Sequence, residues 1–207
     1  MIKSGLLDEL EEVRIAVYGF SNNTYRLLAP GRNAGELQKA LQRMNEIPSQ
    51  NTPLEQASLT AIGDSARFNR GGSRILVIFS DGIAEEQYPS LITVARSESV
   101  PVYPVVLKPL FPTSRHIPAK TSALLNRQIG AFAALGGETG GEAFTQLKNG
   151  GSVLPDLLKR IVEHGRSEYL VGCYATPSDP PRPHHFEVRL RSKEIGVVYQ
   201  GEKTVSH

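Results

Sequence analysis

The chain has 207 residues, 40% of them hydrophobic and 21% charged, with a formal net charge of +2. That is long enough for one substantial core and ordinary for a globular protein. The near-neutral balance argues against a nucleic-acid surface, and no apolar run approaches the ~20 residues of a membrane span.

The first residues, Met1 to Leu10, place Ile2, Leu6, Leu7 and Leu10 on one helical face and carry acids where a secretion leader would be apolar. Val13 to Phe20 reads as a strand, Ser21 to Thr24 as a turn, and Tyr25 to Ala29 as the second strand of a hairpin. Asn33 opens a helix with Glu36 three residues on, and Leu37, Ala40, Leu41 and Met44 form its apolar stripe. Thr52-Pro53-Leu54-Glu55 is a second helix start, with a threonine cap, proline in the first turn and glutamate at the third position.

Ile75 to Phe79 is an unbroken apolar run between a polar start and Ser80-Asp81-Gly82. It predicts a strand buried on both faces of a sheet, with its hydroxyl and carboxylate delivered to the rim where α/β sheets bind ligands. A helix follows around Pro89 to Ser97, then a strand from Val102 to Leu107. Pro104 cannot donate to a ladder, so a bulge or a free edge is expected there. After a proline-bearing loop, Lys108 to Lys120, a helix near Thr121 to Leu135 is expected to stop at Gly136-Gly137, with a short strand at Glu142 to Thr145. Ser152 caps a helix that carries Leu157, Leu158, Ile161 and Val162. Three strand-like pieces end the chain: Tyr169 to Ala175, Phe186 to Leu190 and Ile195 to Tyr199.

Strands alternating with helices imply βαβ units. The expected fold is therefore α/β: a three-layer, doubly wound, mainly parallel sheet over residues 1–165, with an antiparallel β extension over 166–207 packed on the same domain.

Three polar points mark the rim: Ser21, Thr52 and Asp81. Two hydroxyls and a carboxylate are hard oxygen donors of the kind magnesium takes. Each also has a local explanation. Thr52 caps a helix, Asp81 precedes glycine in a turn, and Ser21 belongs to a hairpin loop. Other signals resolve simply. Cys173 is the single cysteine, so no internal disulfide forms, and it reads as a buried, inert thiol. His184 and His185 would point to opposite faces of a strand. Gly136 to Gly141 lacks the ending of a phosphate loop. Gly19-Phe20-Ser21 lacks the second glycine of a nucleophile elbow. Arg67, Arg70 and Arg74 read as a solvated loop.

The order of segments resembles a von Willebrand factor type A domain, in particular its bacterial branch. The matching pieces are Val13 to Ser21, Asn51 to Ala57, Ser73 to Gly82, Val100 to Val105, Leu135 to Gly141 and Ser167 to Tyr174. The resemblance implies a magnesium site in which Thr52 is the second-loop ligand and Asp81 the third-loop ligand. The Asp-x-Ser-x-Ser motif of the family's first loop occurs nowhere in this sequence. The chain is thus expected to begin within the family's first helix, after the strand and loop that supply this motif, and no tight magnesium site is expected in it. Such a start would also remove a leader, so an extracytoplasmic location is what the resemblance implies. Without that strand, Val13–Phe20 and Ile75–Phe79 must pair directly or leave backbone groups unpaired.

The functional expectation is a non-enzymatic protein-binding or adhesion module with a degenerate metal-ion-dependent site and a partner rim at Ser21, Thr52 and Asp81. The alternative is a metal-independent scaffold or assembly subunit acting through the β extension or an unpaired strand edge, where it could also self-associate. No nucleophile–base pair can be placed for a hydrolase.

Overall fold

The computed structural model describes residues 13–47, 53–68, 72–107, 118–144 and 154–166. Several expectations fall outside these residues: the helix at 2–10, Thr52, the caps and loops at 48–52, 69–71, 108–117 and 145–153, and the whole β extension with Cys173, His184 and His185.

The elements in order are β1 (Ile15–Phe20), β2 (Thr24–Gly31), α1 (Ala34–Met44), α2 (Leu54–Phe68), β3 (Leu76–Ser80), α3 (Pro89–Ser97), β4 (Val102–Val106), α4 (Ala119–Thr139) and α5 (Leu154–Arg166). The strands form two separate two-stranded sheets, β1-β2 and β3-β4. The first pair is antiparallel and the second parallel. This overturns the expected large, mainly parallel, doubly wound sheet. The reason lies in connectivity. β3 and β4 are joined through helix α3, the crossover a parallel pair needs; β2 and β3 are also joined through helices, α1 and α2, yet lie in separate sheets. β1 and β2 are joined by a tight turn, with the Ser21 N–H donating to the Asn23 carbonyl at 3.0 Å, and a turn that short forces them antiparallel. β1 and β3 do not pair with each other, although α2 lies against β1, β2 and β3 alike.

The β3–β4 pair is apolar on both faces, as its sequence predicts. On one face Ile78, Val102 and Val106 pack with Leu54, Ile62, Leu91, Phe132 and Leu135 from the helices. On the other, Tyr103 and Val105 pack with Leu157 and Ile161 of α5. The hairpin has its own small cluster, in which Leu28 meets Leu37 and Ala40 of α1. Asn33 caps α1 as expected, its side-chain oxygen accepting from the Gly35 and Glu36 N–H groups at 2.9 and 3.2 Å.

Pro104 sits in register opposite Ile78 with no bulge between β3 and β4. The Phe144 N–H donates to the Pro104 carbonyl at 2.9 Å, so this residue's backbone faces away from β3. Its missing donor thus costs the β3–β4 ladder nothing, and of the expected strand at 142–145 the described residues, 142–144, show one bridge, between Val105 and Phe144. Helix α4 runs through Gly136 and Gly137 to Thr139 and is closed by Gly140 at φ 81°. At Gly136 a side chain would meet the Ala143 nitrogen at 2.7 Å, so that glycine serves close packing and not a helix stop.

Candidate functional site

The carboxyl end of β3 runs into a loop, 81–88, that carries most of the polar chemistry at this end of the sheet. The Ser80 hydroxyl accepts from the Gly82 N–H at 3.1 Å, and Asp81 Oδ1 accepts from the Ile83 N–H at 3.0 Å. Gly82 takes φ 74°, and a side chain there would touch the Phe132 ring at 3.0 Å. Asp81 therefore both makes the turn that its sequence context predicts and stays exposed. Ser21 is buried at 3% exposure in the hairpin turn. Thr52 lies outside the described residues, so the structure shows Ser21 and Asp81 but not the third of the expected rim residues.

Among the described residues the oxygen donors at this rim do not make up the set a divalent ion takes. Among the described residues no three His, Cys, Asp or Glu side chains converge as metal ligands. Asp81 brings one carboxylate and commits one of its oxygens to Ile83. A magnesium ion takes about six oxygens.

Sequence reasoning missed a second group of residues on the same loop. Helix α3 starts at Pro89, and its cap residue Tyr88 has no side chain acceptor to offer. Glu55, from the first turn of α2, fills that role: its Oε1 accepts from the Leu91 N–H at 3.0 Å. The signal in the sequence was a helix start without a capping side chain, which demands an acceptor from elsewhere. Beside Glu55 lies Glu85. Burial pushes the Glu85 carboxyl up from its ordinary value; the nearby Glu55 backbone N–H pulls it down, and the charge on Glu55 adds to the rise. Tyr88 is 2% exposed. Burial, and then the charge of Glu85, push its hydroxyl up as well. Glu85 Oε2 and the Tyr88 hydroxyl are both shut off from solvent, and the interaction of the Tyr88 hydroxyl with the Glu85 carboxylate counters part of the rise at Glu85.

The free side of β3 completes the picture. The Leu76 N–H donates to the Pro101 carbonyl at 3.0 Å, and the Ser80 carbonyl accepts from the Leu107 N–H at 2.7 Å. In a strand, alternate residues turn their backbone groups to opposite edges. Leu76, Ile78 and Ser80 thus face β4, and the N–H and C=O groups of Val77 and Phe79 face the other edge, where β3 pairs with no strand among the described residues. The Val77 side chain packs against the α5 cluster, while the Phe79 ring, on the same face but nearer the rim, is 38% exposed.

No family model and no curated protein matches the chain. Solved structures do. It is similar to the conserved hypothetical protein BatB from Bacteroides thetaiotaomicron, at 13% identity and a TM-score of 0.53, over 80% of this chain and 85% of that one. It is also similar to an aerotolerance-related membrane protein from Bacteroides fragilis, at 13% identity and a TM-score of 0.49, over 77% of this chain and 83% of that one. At such identity the likeness to BatB is one of fold alone. Among the described residues no helix is long and apolar enough to cross a membrane.

Proposed function

We propose that this chain is a non-enzymatic protein-binding module that works without a resident metal, and that its partner docks on the free edge and carboxyl-end rim of β3. One observation carries the reading. Among the described residues, the edge of β3 at Val77 and Phe79 meets no neighbouring strand, and Phe79 beside it is 38% exposed. An open edge of this kind accepts an extended segment by backbone hydrogen bonding, with side-chain pockets adding selectivity. The segment that suits it is apolar on both faces, because both faces of β3 are already apolar, with Leu76 and Ile78 on one and Ile75 and Val77 on the other. The sequence resemblance to von Willebrand factor type A domains points the same way, toward a binding module. Asp81, exposed at the rim, belongs to the docking surface as a charged neighbour of the edge and not as a metal ligand.

The metal-dependent adhesion reading and the edge reading separate in one experiment. With a partner captured by cross-linking and identified, the complex is expected to survive a chelator and Asp81→Ala. It is expected to be lost on Phe79→Lys, since a lysine on an edge strand blocks strand addition. A complex that dissolves in chelator and ignores Phe79→Lys would return the function to the metal site.

A further inference from the structure

The hairpin offers a second open edge close to that of β3. We propose that the partner's segment enters as a single strand between β1 and β3 and bonds to both, joining the two sheets into one. This rests on the reading that a partner adds at the β3 edge. It adds how the segment is held and what it must be: an uncharged, extended stretch of another protein, apolar on both faces.

Spacing is the first ground. Among the described residues β1 pairs only with β2, and β3 only with β4. Helix α2 nevertheless lies against β1 and β3 alike. Phe20, at the end of β1, packs against the same core as Leu76 and Ile78 of β3, and no residue of β2 does. β1 is therefore the hairpin strand beside β3. A helix with its side chains is about 10 Å across, and bonded strands lie about 4.8 Å apart. Two strands that share one helix without bonding to each other thus stand about two strand spacings apart, which leaves room for one strand.

The second ground is which edges are guarded. Proteins blunt an exposed edge with proline, charge or cover. β2 carries Pro30, which has no N–H to give, and Arg43 of α1 donates to the Leu27 carbonyl. β4 carries Pro104, and Phe144 bridges on that side. The two inner strands have no such guard: β1 reads Ile-Ala-Val-Tyr-Gly-Phe and β3 Leu-Val-Ile-Phe-Ser, with neither proline nor charge. The faces agree. Ile15 and Val17 pack with Leu37 and Ala40 of α1, while the Tyr18 side chain reaches Asp64 of α2. β1 is thus covered on both faces, as β3 is. A strand between them comes under the same covers, where a charged side chain is buried without a partner.

The test follows amide hydrogen exchange on the full chain labelled with nitrogen-15. The probe is a short acetylated and amidated peptide, alternating valine and isoleucine between two terminal lysines. Two further peptides carry N-methyl groups on alternate residues, one on the odd and one on the even positions, so that each can bond along one edge only. The plain peptide is expected to slow exchange at Val77 and Phe79 and, at the same concentration, at those amides of β1 that exchange fast in the free chain. Each methylated peptide is expected to bind at least about tenfold more weakly, having lost its bonds to one of the two strands. A peptide with glutamate in place of every isoleucine is expected not to bind, and its binding as well as the plain one would overturn the apolar requirement. Protection confined to β3, or methylated peptides that bind as well as the plain one, would overturn the inserted strand and leave docking on the β3 edge standing. No protection on either strand would end both. Protection of Val77 and Phe79 before any peptide is added, by a second copy or by another part of the chain, would also overturn the proposal.

Discussion

Tyr18 shows how single residues tie the hairpin to the helical half. Its hydroxyl donates to Asp64 Oδ2 on α2 at 3.0 Å, and Arg26 of β2 reaches the same oxygen at 3.3 Å. Burial first, and then the hydrogen bond to Asp64, push the Tyr18 hydroxyl up to about 12. The neutral phenol is thus favoured more in the folded than in the unfolded chain, where the ordinary value is 10.0. Its contribution is complete below the unfolded value and is lost as pH rises through about 12. Tyr18→Phe is expected to cost about 1 kcal/mol at neutral pH and to flatten the decline of stability above the ordinary tyrosine range, measured by urea unfolding across pH. Residue-level features were legible where the partner is local. The Asn33 cap and the Asp81 turn involve N–H groups two or three residues away, so sequence alone places them. Glu55 was read as part of its own helix start, yet it serves a helix 36 residues on, and no spacing rule reaches that far. Glu85 carries no periodic or turn signal at all.

At the scale of elements, the exchange between α4 and β4 decides where both end. The Thr139 hydroxyl donates to the Leu135 carbonyl at 2.7 Å and accepts from the Val102 N–H at 2.9 Å. It is fully buried, so it gives the first residue of β4 an acceptor that no strand provides. Thr139→Val keeps the shape and strands that N–H. The expected loss is roughly 1–3 kcal/mol, with Thr139→Ser closer to the native value, both read by chemical denaturation. The Gly136-Gly137 pair illustrates why the helix boundary was misplaced. Two glycines read as a stop because they lower helix propensity by about 1 kcal/mol each. Here tertiary packing wins: a glycine at 136 lets α4 approach the backbone of Glu142 and Ala143, and the helix continues until Gly140 takes the left-handed conformation. Pro104 was legible as a problem, but neither expected outcome occurs: no bulge forms, and the side its backbone faces is not free, because Phe144 bridges there.

For the whole molecule, the sequence displayed the strands and helices but not which strands pair. Apolar periodicity reports burial, and β3 is buried on both faces whether or not it has neighbours on both edges. The expectation of one large parallel sheet treated burial as if it implied pairing, and β1 and β3 in fact belong to separate sheets. The same gap is the basis of the functional account, since an edge that pairs with no described strand is what a partner strand would use. Amide hydrogen exchange on the free chain, resolved residue by residue along β3, tests this most directly. The account predicts that the amides of Val77 and Phe79 exchange at least about tenfold faster than those of Ile78 and Ser80, which bond across to β4. Equal protection at all four amides would mean that β3 already has a neighbour on each side, and the proposed docking edge would not exist.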